Sequence, residues 1–211
     1  MKKQKNIVEM LNRLSEHYGQ QDWWEDDNRI ADWISMILIQ QTTEKNAKNA
    51  LNNLTDHLDV DSLLSMELEK LQELIKPAGF FRQKSTYIKN LMMWFESYES
   101  NFESFESWST EHLRKELLTI KGVGPETADA MLLYIFDRKV FICDQYAMRL
   151  FERLGFGSYK TYAKMHRETL NLTDNISIKQ CKEWHSSIDE HGKVFGKNPD
   201  IDETWLIEKK S

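Results

Sequence analysis

Leu117-Leu118-Thr119-Ile120-Lys121-Gly122-Val123-Gly124-Pro125-Glu126-Thr127-Ala128-Asp129-Ala130-Met131-Leu132-Leu133 reads as a helix, a tight Gly-Val-Gly turn and a second helix. Two glycines flanking an apolar residue let the backbone reverse sharply and bare its N–H groups. Those groups face outward at the N-terminus of the second helix, where the dipole also favours an anion. Pro125 suits a first helical turn, and Ala128 is small enough for the two helices to approach closely. A hairpin built from Gly122, Val123, Gly124 and Thr127 grips a phosphate without reading base sequence. The same residues would also serve a connection that merely packs.

Outward from the hairpin the pattern stays helical. Residues 1–20 form a lysine-rich amphipathic helix with Ile7, Met10, Leu11, Leu14 and Tyr18 on one face. Residues 29–51 read as helix around Trp33-Ile34-Ser35-Met36-Ile37-Leu38-Ile39, interrupted by Gln40-Gln41-Thr42-Thr43. Short helices over 61–68 and 68–75 precede a connector, Pro77-Ala78-Gly79-Phe80-Phe81-Arg82, and a helix over 83–98 follows. Residues 95–109 repeat an aromatic-Glu-Ser pattern whose rings predict an ordered segment, and Ser109 or Thr110 caps the next helix. Only 8 Gly and 3 Pro in 211 residues leave little material for the tight turns of a β-sandwich, so the expected class is all-α.

The chain is long enough for one substantial core or two small ones. Its net charge of −6 gives no global support for a nucleic-acid partner. Locally, residues 146–167 carry Arg149, Arg153, Lys160, Lys164 and Arg167 against the single acid Glu152. Two distant cysteines, Cys143 and Cys181, exclude a disulfide scaffold. No stretch reads as a signal peptide and no apolar run approaches the roughly 20 residues that span a membrane, so a cytoplasmic, nucleoid-associated protein is expected.

With the hairpin, two further elements establish a resemblance. Val140-Phe141-Ile142-Cys143-Asp144-Gln145-Tyr146-Ala147-Met148-Arg149-Leu150-Phe151-Glu152-Arg153-Leu154-Gly155 places an aspartate at the head of a helix about twenty residues past the glycines. Upstream stand Gln40-Gln41-Thr42-Thr43 and Gly79-Phe80-Phe81-Arg82-Gln83-Lys84. In this order they resemble the HhH-GPD superfamily of DNA glycosylases, the endonuclease III group, in the pattern of 3-methyladenine DNA glycosylase III. The resemblance implies a two-lobed helical fold with the active site in the interlobe cleft. The central lobe is expected over residues 21–135, with the hairpin at its end, and the second over residues 1–20 plus 136–211.

The resemblance implies a role for each matching residue. Asp144 is the catalytic carboxylate, stabilising an oxocarbenium-like sugar and orienting the attacking water. Asp is also a favoured helix cap anywhere. Gln41 enters the duplex to fill the space of a flipped nucleotide, or simply ends a helix. Trp23 and Trp24 line the base pocket, where an electron-poor alkylated purine stacks favourably, or else act as a hydrophobic staple. Glu126 borders the pocket or is a first-turn residue favoured by the dipole. Arg149 and Lys84 join the hairpin in holding DNA. Bifunctional members carry a lysine where this chain has Glu126; without that amine, imine chemistry fails. A monofunctional N-glycosylase acting on double-stranded DNA, without lyase activity and as a monomer, is therefore expected. The alternatives are an endonuclease III-like enzyme for oxidised pyrimidines or mismatches, and an inactive DNA-binding module.

Many relatives end in a four-cysteine iron–sulfur loop after a His-Gly-Lys-like segment. Here His191-Gly192-Lys193 is present without the cysteines, so no cluster and no other metal is expected, beyond a possible monovalent cation at the hairpin. His185 and His191, six apart, are weak evidence for a metal site. Lys193 is expected to be structural, and Trp184, Phe195 and Trp205 to pack on the first helix in the cluster's stead.

Overall fold

The computed structural model describes every residue except Met1, Trp23, residues 25–27 and 208–211, and the side chain of Lys2. Trp23, one of the two tryptophans expected in the base pocket, lies outside the described residues. Among the described residues all regular structure is helical: α1 (Lys2–Tyr18), α2 (Arg29–Leu38), α3 (Glu44–Asn52), α4 (Val60–Ser65), α5 (Leu68–Leu74), α6 (Phe81–Glu96), α7 (Thr110–Leu117), α8 (Pro125–Tyr134), α9 (Gln145–Arg153), α10 (Tyr162–Thr169) and α11 (Ile178–Lys197), with short 3₁₀ turns between. The starts follow the local chemistry. Asn28, Thr43, Asp59, Ser109, Asp144, Thr161 and Ser177 each accept a backbone N–H of the turn they open.

The chain divides into two compact units, Trp24–Phe136 and the combination of Met1–Trp23 with Asp137–Ser211. In the first, α2 is the core helix, burying Trp33, Ile34, Ile37 and Leu38 and packing on α3, α6 and α8. The Trp33 ring meets Phe95 at 5.0 Å and Phe102 and Phe136 at 5.4 Å. The aromatic-Glu-Ser segment is thus anchored, its Phe105 buried and stacked on Trp94 at 5.1 Å. Helices α7 and α8 flank the hairpin, joined by a bidentate pair from Arg114 to the buried Asp129 at 2.6 and 3.1 Å.

In the second unit α11 is the axis. Its Trp184 and Ile188 pack with Ile7, Met10, Leu11 and Leu14 of α1 and with Ala147, Leu150 and Phe151 of α9. Burying each of the larger aliphatic side chains is worth about 1.5–3 kcal/mol. Trp184 also donates its indole N–H to Asn12 at 2.9 Å, and Trp205 lies over His17 at 4.5 Å, so both reach the first helix. The Phe195 ring faces the Arg153 guanidinium of α9 at 3.7 Å, a cation–π contact.

Candidate active site

Asp144 closes the extended run of buried residues Phe141, Ile142 and Cys143 and caps α9. One carboxylate oxygen accepts the Ala147 N–H at 2.7 Å. The other faces Nε2 of His185, on α11, at 3.7 Å. The Asp144 side chain keeps 13% of its surface exposed and His185 keeps 20%, so the pair is sheltered yet reachable. The bared amides and dipole of α9 stabilise the negative charge where it sits. Such a carboxylate can face a developing cation and order a water.

Further along α9, exposed Arg149 lines a recess of about 440 Å³ with Tyr146, Arg153, Lys193 and Lys197. Arg153 is committed to Glu203 at 2.7 and 2.8 Å. Lys193 pairs within its own helix with Asp189 at 2.7 Å and Glu190 at 3.3 Å. Burial alone would lower the Lys193 ammonium, but those carboxylates raise it above the usual lysine range. Arg149 and Lys197 are exposed. Gly192 is required by close approach: a Cβ there would meet the Tyr146 ring at 2.1 Å.

Behind that recess a chain of hydrogen bonds secures the end of the described chain. Glu203 can only accept, so His191 donates its Nε2–H to it at 2.7 Å. Nδ1 then accepts the Tyr18 hydroxyl at 2.9 Å. Desolvation holds buried His191 below the ordinary histidine value. Glu203 is pushed up by its own desolvation but held lower overall by Arg153 and His191. The iron–sulfur cluster carried by some relatives needs four thiolates. The chain has two cysteines, Cys143 and Cys181, both buried and neither following His191, so the residues present do not fit it.

In the other unit the hairpin turns on Gly122, whose φ of +110° only glycine adopts readily and where a Cβ would strike Tyr87 at 2.2 Å. Gly124 is exposed at the start of α8, with Glu126 exposed and Thr127 half-buried in its first turn. Val123 corrects the expectation of a contact residue. Its side chain is buried and its N–H closes the turn on Ile120 O at 3.0 Å, so it anchors the loop from within. Gln40, which the sequence reading passed over, donates to Gly122 O at 3.1 Å and to Thr127 at 3.3 Å. With Asn90 bonded to Lys121 O at 3.2 Å, two hairpin carbonyls are already engaged, and the monovalent cation expected there would have to share them.

Lys84 also departs from expectation. It is 2% exposed, and its ammonium bonds Leu38 O at 2.7 Å and Ala78 O at 2.8 Å. A charge so enclosed cannot reach a phosphate. It instead caps the last carbonyls of α2 and of the 3₁₀ turn Lys76–Ala78, where helix ends leave orphan acceptors. These ends carry two exposed residues at positive φ, Gln41 (53°) and Phe80 (46°), the latter 59% exposed. An aromatic held strained in solvent is a signal of function that composition alone did not give. Trp24, half-buried, lies 6.0 Å from the Tyr134 ring.

Residues 34–174 match the HhH-GPD superfamily base excision DNA repair proteins. A Methanocaldococcus jannaschii protein, provisionally named a DNA repair glycosylase, is 38% identical over 195 residues, covering 90% of this chain and 88% of its own. The endonuclease III of Sulfolobus acidocaldarius is 28% identical over 173 residues, covering 79% of this chain and 73% of its own. The structure of H. pylori 3-methyladenine DNA glycosylase bound to 1,N6-ethenoadenine superposes with a TM-score of 0.72 at 26% identity, over 93% of this chain and 98% of that one. This chain belongs to the HhH-GPD superfamily and is a DNA glycosylase of base excision repair.

Proposed function

We propose that the chain is a monofunctional N-glycosylase that removes alkylated purines from double-stranded DNA. The observation that carries this reading is Glu126, exposed in the first turn of α8 at the position where a lyase needs its amine. Without a nucleophilic lysine there, the C1′–N bond breaks with its electron pair leaving on the base, and water supplies the new C1′–O bond. Asp144 stabilises the cationic sugar and takes up the water's proton. The alkylated base is the substrate class that suits these tools. It leaves as a neutral purine and needs little acid assistance, and Trp24 offers its cation a π face worth about 0.5–2 kcal/mol. The likeness to the H. pylori enzyme supports the same choice.

On the DNA side, Gly122, Gly124 and Thr127 hold one phosphate, with Arg149 a second cationic contact. Gln41 and Phe80, displayed on the ends that Lys84 ties together, fill the stack vacated by the flipped nucleotide.

The test is base release from methylated, oxidised and mismatched duplexes, with borohydride trapping alongside. Release of 3-methyladenine that Asp144→Asn abolishes supports the reading. A trapped covalent adduct would overturn the monofunctional assignment. Release confined to oxidised pyrimidines would favour the endonuclease III-like alternative. DNA affinity without any release would leave a binding module.

A further inference from the structure

We infer that His185 is a positioning residue for Asp144, a role that rests on the glycosylase reading above. The argument is one of unequal restraint on the two carboxylate oxygens. The first is fixed by the Ala147 N–H at 2.7 Å, part of α9's own cap. A single hydrogen bond leaves the group free to turn about its Cβ–Cγ bond, and an oxygen that swings cannot hold a water or a sugar cation in one place. The second oxygen faces Nε2 of His185 at 3.7 Å.

His185 belongs to the most firmly seated helix of its unit. The preceding Trp184 is fully buried and bonded to α1, and Ile188 is buried one turn on. The imidazole is therefore delivered by a rigid element rather than by a loop. Its Nε2–H can donate to the carboxylate whether the ring is neutral in that tautomer or protonated, so no particular charge state is required. Contacts of this kind shorten when substrate closes a site. A histidine is suited to the place for a second reason: a lysine there would neutralise Asp144 with a mobile full charge and compete with the sugar cation for it.

His185→Ala, His185→Gln and Asp144→Asn, singly and with the double variant Asp144→Asn/His185→Ala, test this on methylated duplex DNA under single-turnover conditions. Misplacing a catalytic group by about 1 Å can cost up to about 100-fold in rate. The expected result is a rate lower by about that factor in His185→Ala, with dissociation constants for undamaged duplex within about twofold of wild type, and partial recovery in His185→Gln, whose amide can donate. Because His185 acts through Asp144, the double variant should be no slower than Asp144→Asn. A His185→Ala rate within twofold of wild type, or additive losses in the double variant, overturns the inference. A variant that simply misfolds would lose DNA affinity as well, which the binding measurement reads. Long-range ¹⁵N spectra of the His185 ring, compared between wild type and Asp144→Asn, read the pairing without any activity. An unchanged ring spectrum overturns it. Wild-type protein that releases no base overturns the proposed function instead, so the two failures are distinguishable.

Discussion

Replacing Lys84 with methionine discriminates between a phosphate contact and an internal cap. The ammonium makes two charge-assisted hydrogen bonds to backbone carbonyls, at 2.7 and 2.8 Å, in a site 2% exposed. Each such bond contributes about 1.5–3 kcal/mol. Part of that is already offset, because burial penalises the charge and holds this ammonium below the usual lysine value. Methionine keeps the apolar stem and removes both the bonds and the desolvation. The net cost, from the two bonds less that relief, is about 2–4 kcal/mol, with two carbonyls left wanting partners. Urea unfolding followed by the fluorescence of Trp33 and Trp94, both in the same unit, measures it. The salt dependence of duplex binding is the companion assay. A lysine that neutralises a phosphate lowers the salt slope by about 1 when removed, with little loss of stability. Lys84→Met is expected to do the reverse, unfolding at lower urea with an unchanged slope. Unaltered stability together with a reduced slope would refute the capping role.

The hairpin glycine and the exposed aromatic give sharper functional outcomes. Gly122→Ala forces a Cβ against Tyr87 at a φ that L residues avoid, so affinity for damaged and undamaged duplex should fall together; a selective loss for damaged DNA would contradict a sequence-blind phosphate grip. Phe80→Ala removes a solvent-facing ring while keeping the positive backbone φ, and should leave stability unchanged while slowing base release; destabilisation by more than about 1 kcal/mol would mean the ring packs. Acid should loosen the Tyr18–His191–Glu203–Arg153 chain. The folded His191 value lies below the ordinary ~6.5, so stability falls as pH drops from there towards that value. Glu203, held below the ordinary ~4.3, adds stability that is present above this pH and lost as pH falls through its own lower value. Amide exchange of α11 and the segment after it, followed from pH 7 to pH 3, should rise in that order, and His191→Gln should erase the earlier step.

The helical course up to α9 was legible where apolar spacing and caps agree: Asn28, Ser109 and Asp144 are short polar side chains immediately before apolar-periodic stretches. The hairpin was legible because a positive φ beside a neighbouring ring admits only glycine, and that leaves a mark in the sequence. The DNA contact that the resemblance implied for Lys84 does not fit its burial, because nothing local to a lysine in a first helical turn says that two helical segments end within reach of its ammonium. Gln40 and Gln41 are neighbours of one type, yet one turns inward to the hairpin and the other stands exposed at φ 53°. Only the turn geometry decides between them. The sequence offers His185 only as weak evidence for a metal site, because the carboxylate it faces is 41 positions away and caps another helix. The pairing of the Phe195 ring with Arg153 is hidden for the same reason: long-range pairing is set by packing that local sequence does not encode.

The hydrogen-bonded strap from Tyr18 through His191 and Glu203 to Arg153 joins α1, α9, α11 and the segment beyond α11 by contacts that are remade within a folding event. A fastening of this kind has no assembly step. Its parts are the phenol, imidazole, carboxylate and guanidinium of the chain itself. The hold of this strap therefore follows the acidity of its surroundings, through His191 and Glu203.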